Sequence, residues 1–190
     1  MDIYQLIDDS SYKSYKLIGG TSKLITFKGQ SLINSWEELE GEVYKNFDNK
    51  GKKDGFDARV AGAFLVMEKE KATLFTRRIN VKAELLPFKF VNVKKDFVFI
   101  NIQNVIEGIN NEGVSHLKRM ELYRNKDLYF YEEASMNVIF RDATSETKLF
   151  CTQELENILN ELDIKGLALE KVGKVAPIPS FSKEKNIFNR

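Results

Sequence analysis

The chain has 190 residues, 43% of them hydrophobic and 12% aromatic, enough apolar side chain for one globular domain with a core of its own. Its 29 Lys and Arg nearly balance 28 Asp and Glu, leaving a net charge of +1, which disfavours a general nucleic-acid binder because such proteins carry a basic excess. One cysteine, Cys151, and one histidine, His116, exclude an internal disulfide and every zinc site built from clustered Cys and His.

The first residues lack the basic and long apolar regions of a signal peptide, and no apolar run approaches the ~20 residues needed to cross a bilayer. A cytoplasmic protein without a membrane segment is expected. In chain order, Ile3 to Ile7, Tyr15 to Ile18 and Leu24 to Phe27 read as strands. Next comes the compact acidic cluster Glu37-Glu38-Leu39-Glu40-Gly41-Glu42 beside the single tryptophan, Trp36. Two readings stand for it. One is a solvated helix start with Trp36 tucked into the core. The other is an acidic, aromatic-tipped surface for a basic partner, formed by Trp36, Glu37, Glu38, Glu40 and Glu42, since tryptophan suits interface hot spots and anionic patches speed encounter with cationic proteins.

Asn49-Lys50-Gly51-Lys52-Lys53-Asp54-Gly55 has the glycines and charges of an exposed flexible loop. A helix is predicted over about 68–78, where Ala72, Leu74 and Phe75 give a short apolar stripe. Leu86 to Val91 alternates as a strand, and Pro87, which cannot donate to a ladder, predicts an edge or a strand start. Phe97 to Ile102 is apolar on both faces and reads as a central strand. His116 lies in a loop or short helix. Strands follow over Leu128 to Tyr131, Asn137 to Phe140 and Lys148 to Phe150, with the turn Asp142 to Glu146 joining the last two.

Leu155, Ile158, Leu159 and Leu162 fall at i, i+3, i+4 and i+7 and predict a helix over 153–163, capped by Thr152 and stopped near Gly166, ahead of the strand Leu167-Ala168-Leu169. Ala176-Pro177-Ile178-Pro179-Ser180 opens an extended tail, whose Ile187-Phe188 tip has the apolar character to dock on the body. The sequence therefore predicts one domain over 1–175 and a tail over 176–190. With strands outnumbering helices and no βαβ alternation, the class is α+β with a largely antiparallel sheet and a few short helices.

Chemistry is sparse. Neither Gly19-Gly20 nor the 51–55 loop has the spacing or the helical continuation of a phosphate-binding loop. No nucleophile elbow accompanies His116, which reads as a surface or structural histidine, and Cys151 reads as a small buried cysteine rather than a nucleophile. Phe88 and Phe90 share one strand face with Lys89 on the other, the pattern of a half-buried strand rather than a base-stacking platform. No catalytic, cofactor-binding or metal residues are assigned, and the oligomeric state is left open.

The stretch Val138-Ile139-Phe140-Arg141, then Lys148 to Thr152, then Leu155 through Leu162 and Lys165-Gly166-Leu167-Ala168-Leu169 resembles the end of a bacterial immunity-protein family of polymorphic toxin systems. Upstream, the Gly29-to-Trp36 segment, Phe64 to Arg78, Leu85-Leu86-Pro87 and Phe97 to Ile102 followed by Val105-Ile106-Glu107 fall in that family's order, so the resemblance spans about 24–172. Its distinctive positions are Trp36, Pro87, Arg141 and Gly166. Where the family usually carries aspartates after the central strand, this chain has Glu107 and Asn110. The resemblance implies a non-catalytic protein that binds and neutralises a cognate toxin by occluding its active site, with Arg141 tying the sheet together rather than touching the toxin. The alternatives are a small enzyme or enzyme subunit using dispersed acidic and Tyr residues, or a general interaction module.

Overall fold

A computed structural model of the chain describes residues 1–19, 28–44, 50–62 and 64–179. The protein is α+β with largely antiparallel strand pairing, as the strand-rich pattern predicts, but the strands of the described residues are divided between two six-stranded sheets rather than gathered in one. The first sheet has the order β8-β10-β11-β1-β12-β9, formed by β1 (Asp2–Asp8), β8 (Val105–Ile106), β9 (Leu128–Phe130), β10 (Ile139–Asp142), β11 (Ser145–Cys151) and β12 (Leu167–Val175). The second has the order β2-β3-β6-β7-β5-β4, formed by β2 (Tyr15–Ile18), β3 (Leu39–Val43), β4 (Ala58–Ala61), β5 (Phe64–Glu68), β6 (Ala83–Phe90) and β7 (Phe97–Ile102). Among the described residues three strand pairings are parallel, β10 with β8, β12 with β9 and β3 with β6.

The amino-terminal strand lies inside the first sheet, paired antiparallel with β11 on one side and with β12 on the other, where Leu6 faces Leu169. The chain thus starts in one sheet, builds the second, and returns to close the first. This explains why no linker interrupts the sequence.

Helices α1 (Lys69–Ile79) and α3 (Glu154–Glu161) share one apolar cluster with both sheets. Ala72, Phe75 and Ile79 of α1 and Leu155, Ile158 and Leu159 of α3 meet Leu6, Leu149 and Cys151 of the first sheet and Leu65, Met67 and Ile100 of the second. The apolar stripe of residues 155–159 is buried as its spacing predicts. Two details differ. Gln153 occupies the cap position with no side-chain capping bond, its amide donating to the Glu156 carboxylate instead, and the Thr152 carbonyl, not its hydroxyl, receives the Leu155 N–H at 3.1 Å. The helix ends through Asp163, whose φ of +47° lets the N–H groups of Ile164 and Asp163 reach the Leu159 and Asn160 carbonyls at 2.8 and 3.1 Å. Gly166 is used elsewhere, as shown below.

The opposite face of the first sheet packs Ile3, Phe140, Phe150 and Phe130 under α2 (His116–Asn125), which inserts Leu122. Ser115 caps α2 by accepting the Lys118 N–H at 3.2 Å. The outer face of the second sheet carries an aromatic cluster of Phe56, Phe64, Phe88, Phe90, Phe97 and Phe99, joined by Trp36 and Tyr15. Edge-on ring contacts run through it, including Phe88 on Phe90 at 4.9 Å and Tyr15 on Phe90 at 5.2 Å. β6 buries Leu86, Phe88 and Phe90 and exposes Pro87 and Lys89, the alternation expected of a half-buried strand.

Pro87 nevertheless sits in an interior strand, between β3 and β7. β3 pairs with β6 only from Phe88 onward, so the missing N–H falls just before that ladder begins. There the Trp36 indole N–H donates to the Pro87 carbonyl at 2.9 Å, taking the place of a strand partner. The proline and the tryptophan, distant in sequence, are two halves of one ladder end.

The segment predicted as a strand over Leu24 to Phe27 and the Ile187-Phe188 tip lie outside the described residues. Residues 176–179 form neither helix nor strand, and Ile178 packs partly against the α2-side core. The 50–55 loop is largely exposed, as expected, yet it is pinned: Lys53 N–H donates to the Ser11 carbonyl at 2.8 Å and Lys13 pairs with Asp54 at 2.6 Å.

Candidate functional site

The acidic segment is a strand, not a helix start. Glu37 and Glu38 lead into β3, and both are exposed. Pairing with β2 and β6 brings a lysine beside each of the next two acids: Glu40 meets Lys89 at 2.9 Å and Glu42 meets Lys16 at 3.3 Å. The field of these acids is therefore partly compensated on the same surface. Trp36 does not tip this surface. It is half-buried, its indole N–H is spent on Pro87, and its ring lies 5.5 Å from Phe99 and 5.9 Å from Phe64. The structure keeps the five residues together, with Trp36 as the root of the segment and the four acids as its outer rim.

Beside this rim runs a shallow cleft of about 460 Å³ lined by Glu38, Lys69, Leu85, Pro87, Lys89 and Asp96, among others. A second of about 460 Å³ continues past Lys69 and Asp96 to Glu68, Glu70, Thr73 and Lys95. Acids and lysines both line each of them. Through Lys95 the second cleft is connected to the buried Asp57 carboxylate, which accepts from Lys71 at 2.9 Å, from Lys95 at 3.2 Å and from the Lys165 N–H at 3.1 Å; Lys95 also pairs with Glu68 at 2.6 Å.

Burial pushes the Asp57 carboxyl up, but Lys71, the Lys165 N–H and Lys95 outweigh it and hold the group below the ordinary value of 3.8. A depressed folded-state value means that the stabilisation is complete above the ordinary carboxylate range and is lost as pH falls through the folded value. Asp57→Asn is expected to cost about 1–3 kcal/mol at neutral pH, and the gap from the parent protein should narrow as pH drops below about 4. Urea titrations across that range measure it, and a gap independent of pH would show that the carboxylate charge is not what the lysines hold.

The other buried ionic groups also join elements. Arg141 on β10 is fully buried, with its Nε donating to the Ile102 carbonyl at 2.6 Å, Nη1 to the Glu146 carbonyl at 2.9 Å and Nη2 to Asn101 at 3.3 Å. Ile102 and Asn101 belong to β7, so this one guanidinium fastens the two sheets together. Burial lowers its pKa to about 10, against the pull of Glu146, and leaves it cationic at neutral pH. Asn101 continues the network by donating to Glu84 at 3.2 Å and to the Gln30 carbonyl at 2.9 Å, while Glu84 accepts the Leu32 N–H at 2.9 Å. The 30–32 segment is thereby held on the second sheet.

Arg59 bridges Asp8 at 3.3 Å and the carbonyls of Asp9 and Gly166 at 2.8 and 3.1 Å. Asp142 accepts the N–H groups of Gly108 and Ile109 at 2.8 and 2.7 Å and that of Thr144 at 2.8 Å. Sequence reasoning read the polar turn after Phe140 but not this carboxylate's second duty of holding the 108–109 backbone, because the two segments are joined only by folding.

The structure does not bring His116 and Cys151 into a common pocket. His116 is exposed at the first turn of α2. Cys151 ends β11 in the core shared with α1 and α3, its Sγ 3.7 Å from the Tyr4 carbonyl, and burial pushes its thiol well up. Among the described residues no group of three or more His, Cys, Asp and Glu is placed to hold a metal ion, and no helix is long and apolar enough to cross a membrane. No protein-family model and no curated protein sequence matches the chain.

Proposed function

We propose that this chain is a non-catalytic immunity protein of a bacterial polymorphic toxin system, acting in the cytoplasm by binding a cognate toxin domain and covering its active site. The observation that carries the reading is the employment of the four distinctive residues of the resemblance. Trp36 and Pro87 close one ladder end, Arg141 fastens the two sheets, and Gly166 lies against the Ala58 carbonyl. All four are spent on the scaffold. Immunity proteins that share a scaffold must vary where their toxins vary, which leaves recognition to the exposed rims and loops.

On this reading Glu37, Glu38, Glu40 and Glu42 face the toxin, rooted by Trp36, and meet a basic cleft in place of its anionic substrate. The test pairs the protein with the toxic domain encoded beside its gene. Co-expression should restore growth, and the purified pair should associate. Glu37→Lys with Glu38→Lys should change stability by less than about 0.5 kcal/mol, slow association about tenfold at low salt and flatten its salt dependence. Binding with an unchanged association rate at every salt concentration would move the interface elsewhere. Failure of the toxin to bind at all would sink the function.

A further inference from the structure

Helix α2 turns apolar side chains outward. Of its ten residues only Leu122 is buried, whereas Leu117 is 79% exposed and Met120 is 51% exposed. Leu117, Met120 and Arg124 are spaced i, i+3 and i+7, so they form a single stripe along the solvent side. Within α2 three cations, Lys118, Arg119 and Arg124, outnumber the single acid, Glu121. Lys118 is paired with Glu121 at 2.9 Å and Lys126 with Glu170 at 2.6 Å. Among the described residues no carboxylate pairs with Arg119, Arg124 or Lys148. Arg119 also leaves its Nε buried without a hydrogen-bond partner, and the Lys148 ammonium rests 4.8 Å over the ring of Tyr123, one turn along α2 from Met120. The helix and its flank thus present an aliphatic centre bordered by three cations for which the described residues supply no carboxylate partner.

We propose that the outer face of α2 docks a partner protein whose surface is apolar at the centre and acidic at the edges. Leu117 and Met120 would lose water against the apolar centre, while Arg119, Arg124 and Lys148 would take carboxylates at the rim, the arrangement of interfaces in general. A nucleic acid fits less well. Its phosphates would satisfy the cations but leave the two aliphatic side chains facing a charged backbone, and the stripe offers no exposed ring for base stacking. A second copy docked face to face would set these cations against one another.

The inference stands apart from the toxin reading, and its test needs no toxin. Isotope-labelled protein is titrated with three probes: a synthetic peptide of leucine and phenylalanine flanked by glutamates, polyglutamate, and duplex DNA. The peptide is expected to shift the α2 amides from Leu117 to Arg124 to saturation, with polyglutamate much weaker. Leu117→Ser with Met120→Ser should weaken the peptide about tenfold or more while leaving the fold intact, since both side chains are exposed. Arg124→Glu with Lys148→Glu should weaken it further at low salt than at high salt. Equal binding of peptide and polyglutamate, shifts confined to other surfaces, no shift with the peptide, or saturation of α2 by DNA alone would each overturn the proposal.

Discussion

Arg141→Met is expected to destabilise the protein by about 3–5 kcal/mol, because the truncation leaves buried acceptors without their donor. The Ile102 and Glu146 carbonyls receive the guanidinium at 2.6 and 2.9 Å, and Asn101 receives it at 3.3 Å. Methionine restores the volume of the stem but none of these bonds. Lysine, whose donors all sit on one nitrogen rather than on a planar fork, should recover only part of the loss. Urea unfolding followed by fluorescence of Trp36 measures the change, and the slope of the transition reports whether the two sheets still unfold together. A cost below about 1 kcal/mol would mean that apolar packing alone joins the sheets.

Gly166→Ala is the second large expected loss, about 3 kcal/mol or more, from backbone strain added to a steric clash. Gly166 has φ +106°, and a Cβ there would lie 2.9 Å from Phe56 Cβ and still closer to the Ala58 carbonyl oxygen. Its own carbonyl accepts the Asp9 N–H at 2.9 Å and Arg59 at 3.1 Å, so a shift of the backbone would loosen the end of β1 and the start of β4 together. Gly55→Ala separates the two contributions. Gly55 has φ +77° but nothing within 4 Å of a Cβ, so it should lose only the strain, about 1 kcal/mol. Thermal unfolding of both variants gives the comparison. Equal losses would show that conformation rather than close approach explains Gly166.

Arg141 is marked in the sequence only through a resemblance and Gly166 also by its place after a predicted helix, and the physical duties of both are not legible there. Gly166 reads as a helix stop from its position after Leu162, yet Asp163 ends α3. The glycine is required by a chain segment more than a hundred residues earlier. Pro87 reads as a mark of an edge strand by the ordinary rule for ladders. That rule fails because β3 begins its pairing one residue later and an indole covers the gap. The acidic cluster reads as a helix start because clustered glutamates suit a first turn, but Leu39, Gly41 and Val43 alternate with Glu40 and Glu42, and partners on both sides make β3. The exposed face of α2 is not legible in the sequence, since its apolar residues have meaning only once Leu122 is known to be the buried one.

What the sequence by itself determined is local and periodic: the α+β class, the buried stripe of Leu155, Ile158 and Leu159, the doubly covered strand Phe97–Ile102 and the alternation of Phe88, Lys89 and Phe90. Side-chain direction repeats every 3.6 residues in a helix and every two in a strand, so a short window suffices to read these elements. Only the tertiary structure decided that there are two sheets, that β1 closes the first of them between β11 and β12, and that Arg141, Asn101 and Glu84 form one buried network. Hydrogen bonds between strands are made by backbone groups common to every residue, which carry no address in the sequence. Which strands meet is settled by the packing of both faces at once.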